Sequence, residues 1–199
     1  MRSNNVEKDY YEAAFRGLDL SRQEVVGQQY EQCRFTNCNF AEAQLKACNF
    51  YDCEFRSCDL SLIKVMDCDF SSTLIEDSKA IGVNWAEIRR PAVRVYCPVE
   101  FIRCNINYSS FMSLDLREIQ IIGCEAKDVN FSEANLSKSN LSDSDFAGSI
   151  FNKTNLCCAD FTHAVNYYID IYHNPIKGAK FSIPEAISLL GSLEVEIVD

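Results

Sequence analysis

The chain has 199 residues, with 11 Cys, 13 Phe and only 2 His, and a formal net charge of −10. That length suits one domain with a sizeable core, and 47% hydrophobic against 24% charged residues describes a folded chain. The acidic balance excludes ordinary DNA or RNA binding, which needs a basic stripe, and no apolar run approaches the ~18 residues of a membrane helix.

The first segment, residues 1–12, reads as an N-terminal cap or flexible stretch. Its opening, MRSNNVEKDYYEAAF, lacks the apolar core of a signal peptide, so a cytoplasmic protein is expected. From Phe15 every fifth residue is apolar: Phe15, Leu20, Val25, Tyr30, Phe35 and onward to Trp85. This run covers residues 13–85. Across 86–100, AEIRRPAVRVYCPVE, the register slips by one, and Pro91 and Pro98 disfavour ladder pairing. The expectation is a bulge or kink dividing two halves, either a passive phasing insertion or a protruding partner contact. The period resumes at Phe101 and holds through 101–181, with Asn166 as its one exception. All 13 Phe lie on this position, here termed i. Residues 182–199 leave the pattern. SIPEAISLLGSL predicts a short α-helix, with Ser182 and Glu185 as a capping box, Pro184 in the first turn and Gly191 at the end. LEVEIV, 193–198, alternates like a terminal strand.

Small residues such as Cys33, Ala43, Ser144 and Thr154 fill i−2, and Asn or Asp recurs at i−1. The clearest stretch is NFSEANLSKSNLSDSDF, 130–146, an A(D/N)LXX pattern. On these residues the chain resembles the pentapeptide-repeat family over roughly 13–181. The resemblance implies an all-β fold, a right-handed quadrilateral parallel β-helix in which four repeats make one coil. Residues 20 apart then stack, placing Phe35 over Phe55, Phe50 over Phe70 and Phe131 over Phe151 in the core. The period itself agrees, since a five-residue repeat would spiral apolar positions around an α-helix. Eight cysteines also pair in that fold: Cys33 with Cys53, Cys38 with Cys58, Cys48 with Cys68, and Cys104 with Cys124. They read as small buried hydrophobes with free thiols, because parallel Cβ vectors at strand spacing miss disulfide geometry. Cys97, Cys157 and Cys158 fall off the motif, and the last two should be more exposed.

No catalytic constellation stands out. His163 and His173 lack triad partners, the glycines form no phosphate loop, and no C-x₂-C spacing suggests zinc. A binding protein without metal or cofactor is expected, rather than an enzyme. Three stretches outside the repeat consensus narrow the resemblance: residues 166–199, DLSLIK at 59–64 and GVNW at 82–85. They are similar to the DNA-gyrase-protecting members, namely the albicidin-resistance, quinolone-resistance and microcin-immunity proteins. That similarity implies a homodimer through the tail, using Ile183, Ile187, Leu189, Leu190 and Leu193. It also implies a rod that mimics B-DNA, occupies the saddle of gyrase and by extension topoisomerase IV, and relieves drug poisoning. Such a protein touches neither nucleic acid nor membrane directly. About eight coils give a rod of ~38 Å, over which duplex DNA carries ~22 charges. Mimicry therefore needs acids gathered on one face. The candidates are Glu125 and Asp145 in one column with Asp128 beside them, and Glu100, Asp143 and Asp160 on another face. The alternative function is a scaffold for an unrelated protein partner, since fold alone does not assign function.

Overall fold

The computed structural model describes residues 9–89, 99–193 and 195. It is a parallel β-solenoid of about eight turns. Short strands lie 20 residues apart: Ala14–Arg16 pairs with Arg34–Thr36, which pairs with Glu54–Arg56. Four faces follow one another around each coil, here numbered by their inward i residues. Face 1 carries Phe15, Phe35 and Phe55, face 2 Leu20, Phe40 and Leu60, face 3 Val25, Leu45 and Val65, and face 4 Tyr10, Tyr30 and Phe50. The first coil begins earlier than the period suggests. Asp9–Tyr11 is a strand paired with Gln29–Glu31, so residues 9–12 belong to the solenoid rather than to a separate terminal segment.

The aromatic columns stack as the sequence predicts. Phe35 lies 4.6 Å from Phe55, Phe50 4.8 Å from Phe70, and Phe131 5.3 Å from Phe151. Rings of adjoining faces meet edge to face, which suits their quadrupoles. The corners have a cause that the sequence hides. At almost every repeat the i+2 residue takes a positive φ, from Glu12 at 48° to Glu118 at 68°. Most of these residues are not glycine, so each corner costs about 1–2 kcal/mol. Regular cross-coil hydrogen bonding offsets that cost. The i−1 Asn or Asp explains itself locally: its Oδ1 accepts the N–H two residues on, as Asn39 does from Ala41 and Asn130 from Ser132.

The buried cysteines do more than fill space. Cys58 Sγ donates to the Phe35 carbonyl at 3.5 Å and accepts the Cys38 N–H at 3.4 Å. Ser144 makes the same pair of contacts, to Ile121 O and from Cys124 N–H. Thiol and hydroxyl are therefore equivalent devices at i−2 for satisfying corner backbone groups. All ten described cysteines are free, and the eight motif cysteines are buried. Burial pushes Cys53 up to about 12 and Cys58 up to about 11. Cys48 and Cys104 are shifted the other way by hydrogen bonds from the thiols of Cys68 and Cys124, so it is the burial of all eight that keeps reagents from them. Treatment of the native protein with Ellman's reagent should modify exposed Cys158 and leave these eight unmodified until denaturant is added. Rapid modification of any of the eight would contradict this packing.

The break at 86–100 is not a divide. Thr73–Glu76 pairs in register with Val99–Ile102, which pairs with Ile121–Ile122, so one six-stranded sheet runs through it. Ile75 stacks on Phe101, Lys79 on Asn105 and Asn84 on Ser110, a separation of 26 residues in place of 20. The slip is an insertion of one repeat and one residue into a single coil. The ladder continues in register on either side of it. Trp85, Ala86 and Glu87 form a 3-10 turn on its near side, and Trp85 is wholly buried. Guanidinium groups fasten both borders. Arg103 reaches Glu76 at 2.6 Å and Asp77 at 2.7 Å, while Arg89 reaches Asp67 at 3.2 Å. The middle of the expected break, 90–98 with Pro91, Pro98 and Cys97, lies outside the described residues.

The last coil differs from its expected register. Phe151 pairs with Ile169, not with Ile171. Asn166 explains both this and its exception to the period. It sits in the left-handed region at φ 60°, so the chain turns early. The lost residues return in the turn 170–174, where Asn174 regains the i−2 role. The helix at Glu185–Leu193 is a 3-10 helix rather than the expected α-helix. Its capping-box residues face the solenoid. Ser182 Oγ accepts the His163 N–H at 3.0 Å, and the Glu185 carboxylate accepts the Asn166 N–H at 2.5 Å. With Leu189 packed on the core, the tail covers the open end of the last coil. Of the expected terminal strand only Leu193 and Val195 lie among the described residues.

Candidate binding surface

Each repeat turns its i−1, i+1 and i+2 side chains outward, so the four faces are four rows of surface residues whose chemistry the core leaves free. The six candidate acids stand in two groups. Glu100 and Asp160 stand on face 1, three coils apart. Glu125 and Asp145 are stacked neighbours on face 2. Asp143 and Asp128 occupy the corners that follow faces 1 and 2, at φ 57° and 55°.

Several of these charges are already answered. Asp160 pairs with Lys180 at 3.0 Å, Asp145 with Lys127 at 3.2 Å, and Asp143 lies 3.4 Å from His163. Burial works to raise Asp145 and Asp160. Hydrogen bonds from Asn166 and Ala147 to the first, and from Thr162 and Lys180 to the second, outweigh it and hold both below the usual carboxylate range. Glu100, Glu125 and Asp128 make no ion pair among the described residues; Glu100 and Glu125 accept only from the amides of Gln120 and Asn105. The acids thus form a loose band around two faces rather than one strip.

Face 1 shows how far compensation goes. A ladder runs Arg34–Glu54–Arg56–Glu76–Arg103–Asp77 across four coils, with contacts of 2.6–3.2 Å. The neighbouring guanidinium of Arg34 holds Glu54 below its ordinary value, and Arg103 does the same for Asp77. Such exposed pairs contribute little singly, but the ladder is neutral as a whole, three guanidinium groups against three carboxylates.

The first coils of face 4 are different, and the sequence reading overlooked them. Glu12, Glu31, Asp52 and Asp69 stand there with exposed Tyr11 and Tyr51. No ion pair involves these four acids among the described residues. Folding the sequence at 20 and marking the charge at i−1, i+1 and i+2 would have found the row.

The tail offers an apolar surface. Ile183 is 84% exposed and Ile187 46%, with Leu190 and Leu193 also outward. Leu189 departs from that group, since it packs inward against the core. No group of His, Cys, Asp and Glu among the described residues could hold a metal ion, and no helix among them is long and apolar enough to cross a membrane.

Family models describing a pentapeptide repeat region match residues 8–90, and models of pentapeptide repeats match 115–152 and 124–162. No curated protein sequence matches the chain. Among solved structures, two trypsin-treated variants of QnrB1, described as a plasmid-mediated fluoroquinolone resistance protein, are similar in fold. One is 21% identical with a TM-score of 0.56, covering 100% of this chain and 95% of that one. The other is 20% identical with a TM-score of 0.57, covering 96% and 100%.

Proposed function

The chain belongs to the pentapeptide-repeat family, and from that premise we propose that it is a DNA-mimicking protein that engages bacterial DNA gyrase and shields it from a topoisomerase-poisoning antibiotic. The observation that carries this reading is the uninterrupted rod. One sheet passes through the insertion, the stacked rings stay nearly parallel from coil to coil, and the whole carries a net charge of −10. A stiff acidic cylinder is what a groove built for duplex DNA accepts by shape and by charge. The role of QnrB1 in fluoroquinolone resistance points the same way. Topoisomerase IV is the second target in this reading, and albicidin or a quinolone the class of drug.

In this reading the protein works in the cytoplasm by binding alone, without turnover or cofactor. Two copies join through Ile183, Ile187, Leu190 and Leu193, whose exposure leaves an apolar patch at the capped end. Joining there doubles the length of the rod.

Purified protein added to a gyrase supercoiling reaction poisoned by a fluoroquinolone should restore supercoiled product. Absence of any effect on supercoiling or drug-induced cleavage, at every protein concentration, would reject the proposal and leave a scaffold for another protein partner as the remaining reading.

A further inference from the structure

Inside face 4, Tyr10 and Tyr30 stack with ring centroids 5.1 Å apart and planes within 5°, and Tyr30 and Phe50 at 4.9 Å and 6°. Successive coils are therefore almost untwisted relative to each other, unlike ordinary sheets, where neighbouring strands rotate by roughly 20–25°. The outer surface of the Asp9–Tyr11, Gln29–Glu31 and Asn49–Tyr51 sheet is consequently flat.

Its outward residues are unusual in kind. Tyr11, 62% exposed, and Tyr51, 49% exposed, share one row with Glu31 between them. Two coils separate the phenols, about 10 Å. Glu12, Asp52 and Asp69 border the row. Among the described residues no Lys or Arg stands on this face until Arg89 at its upper edge, which donates to Asn49 Oδ1. Over the same early coils face 1 carries the cross-coil ion pair Arg34–Glu54 and face 2 the pair Arg22–Glu42, whereas the cross-coil pair within face 4, Lys138–Glu118, lies several coils further along. Here no cation among the described residues pairs with the carboxylates, Asp52 accepting from the Gln32 amide and Asp69 from Ser71, and two large aromatic side chains are left in water.

We propose that this flat sheet face docks a protein surface presenting arginine and lysine, with Tyr11 and Tyr51 at the centre of contact. Tyrosine gives a guanidinium a face to stack on, and the flanking carboxylates give it charge-assisted hydrogen bonds. A rigid row of that composition matches the residue types that dominate contact energies. A second copy of this chain fits badly, because like would meet like in charge. The proposal deepens the gyrase reading in that a duplex-binding groove is such a basic surface.

Fluorescein-labelled nona-arginine, titrated with the full chain, tests it without gyrase. Glu31→Lys should weaken binding about tenfold, and the pair Tyr11→Ser with Tyr51→Ser about fivefold. Glu133→Lys, an identical charge change at an exposed position on face 3, should stay within about twofold of the unsubstituted chain. Equal losses for Glu31→Lys and Glu133→Lys, or no binding by the unsubstituted chain, would overturn the proposal. The expected pattern together with no effect on gyrase would reject the gyrase reading alone. Gyrase protection that survives Glu31→Lys, with peptide binding unchanged, would reject this surface alone.

Discussion

Replacing Phe55 with Ala should lower the free energy of unfolding by about 4 kcal/mol. Phe55 is 1% exposed and sits where two columns meet. Its ring stacks on Phe35 at 4.6 Å and meets Phe40 and Phe50 edge to face at 5.6 and 5.5 Å. The strands around it are hydrogen-bonded on both sides, to Arg34–Thr36 and to Thr73–Glu76, so the wall cannot collapse into the void. Loss of transfer free energy and a persistent cavity then add. Phe15→Ala, in the first and half-buried coil, should cost about half as much, because water already reaches one side of that ring. Urea unfolding followed by circular dichroism measures both. Equal small losses would mean that the tube is loosely filled.

Asn174→Leu should loosen the last coil and the tail together, at a cost of about 3 kcal/mol. Asn174 is 1% exposed. Its Oδ1 accepts the Thr154 N–H at 2.8 Å, and its Nδ2 donates to the carbonyls of Phe151 and Asp170 at 3.0 and 2.9 Å. Leucine has similar volume but takes away the side-chain partner of the Thr154 N–H and the Phe151 carbonyl, while the Asp170 carbonyl keeps the N–H groups of His173 and Asn174. Hydrogen exchange at Thr154 should rise steeply, and exchange at Asn166 should rise with it, because the Glu185 carboxylate that covers its N–H belongs to the same cap. Protection unchanged at both amides would show that the cap holds without Asn174.

The core was readable in the sequence because one structural role recurs every five residues. Phe35, Phe50, Phe55, Phe70, Phe131 and Phe151 all stand where the period puts them. The corners were not readable. Arg22, Glu42 and Leu62 share the same positive φ, so no residue type marks the turn. The insertion misled for a related reason: a slip of one in the period looks like a fault, whereas the fold pairs Ile75 with Phe101 across 26 residues and the ladder continues. At the end of the rod, Ser182 and Glu185 matched a helix cap by spacing but were used for the exposed amides of His163 and Asn166. An edge that must be satisfied takes donors and acceptors from whatever segment covers it. The acidic surface was half legible. Positions of Glu100, Glu125 and Asp128 followed from the fold, but partners such as Lys127 and Lys180 mattered as much as the acids. The acids of face 4 without an ion pair went unnoticed because they lie one to a coil and at different positions of the repeat.

Displacement of duplex DNA from gyrase tests the central claim most directly. A labelled linear duplex bound to gyrase, titrated with this protein at fixed salt, should be released in a saturable way, and a higher concentration of duplex should reverse the release. Formation of a ternary complex, or retention of the duplex at saturating protein, would contradict an account in which the rod takes the place of DNA.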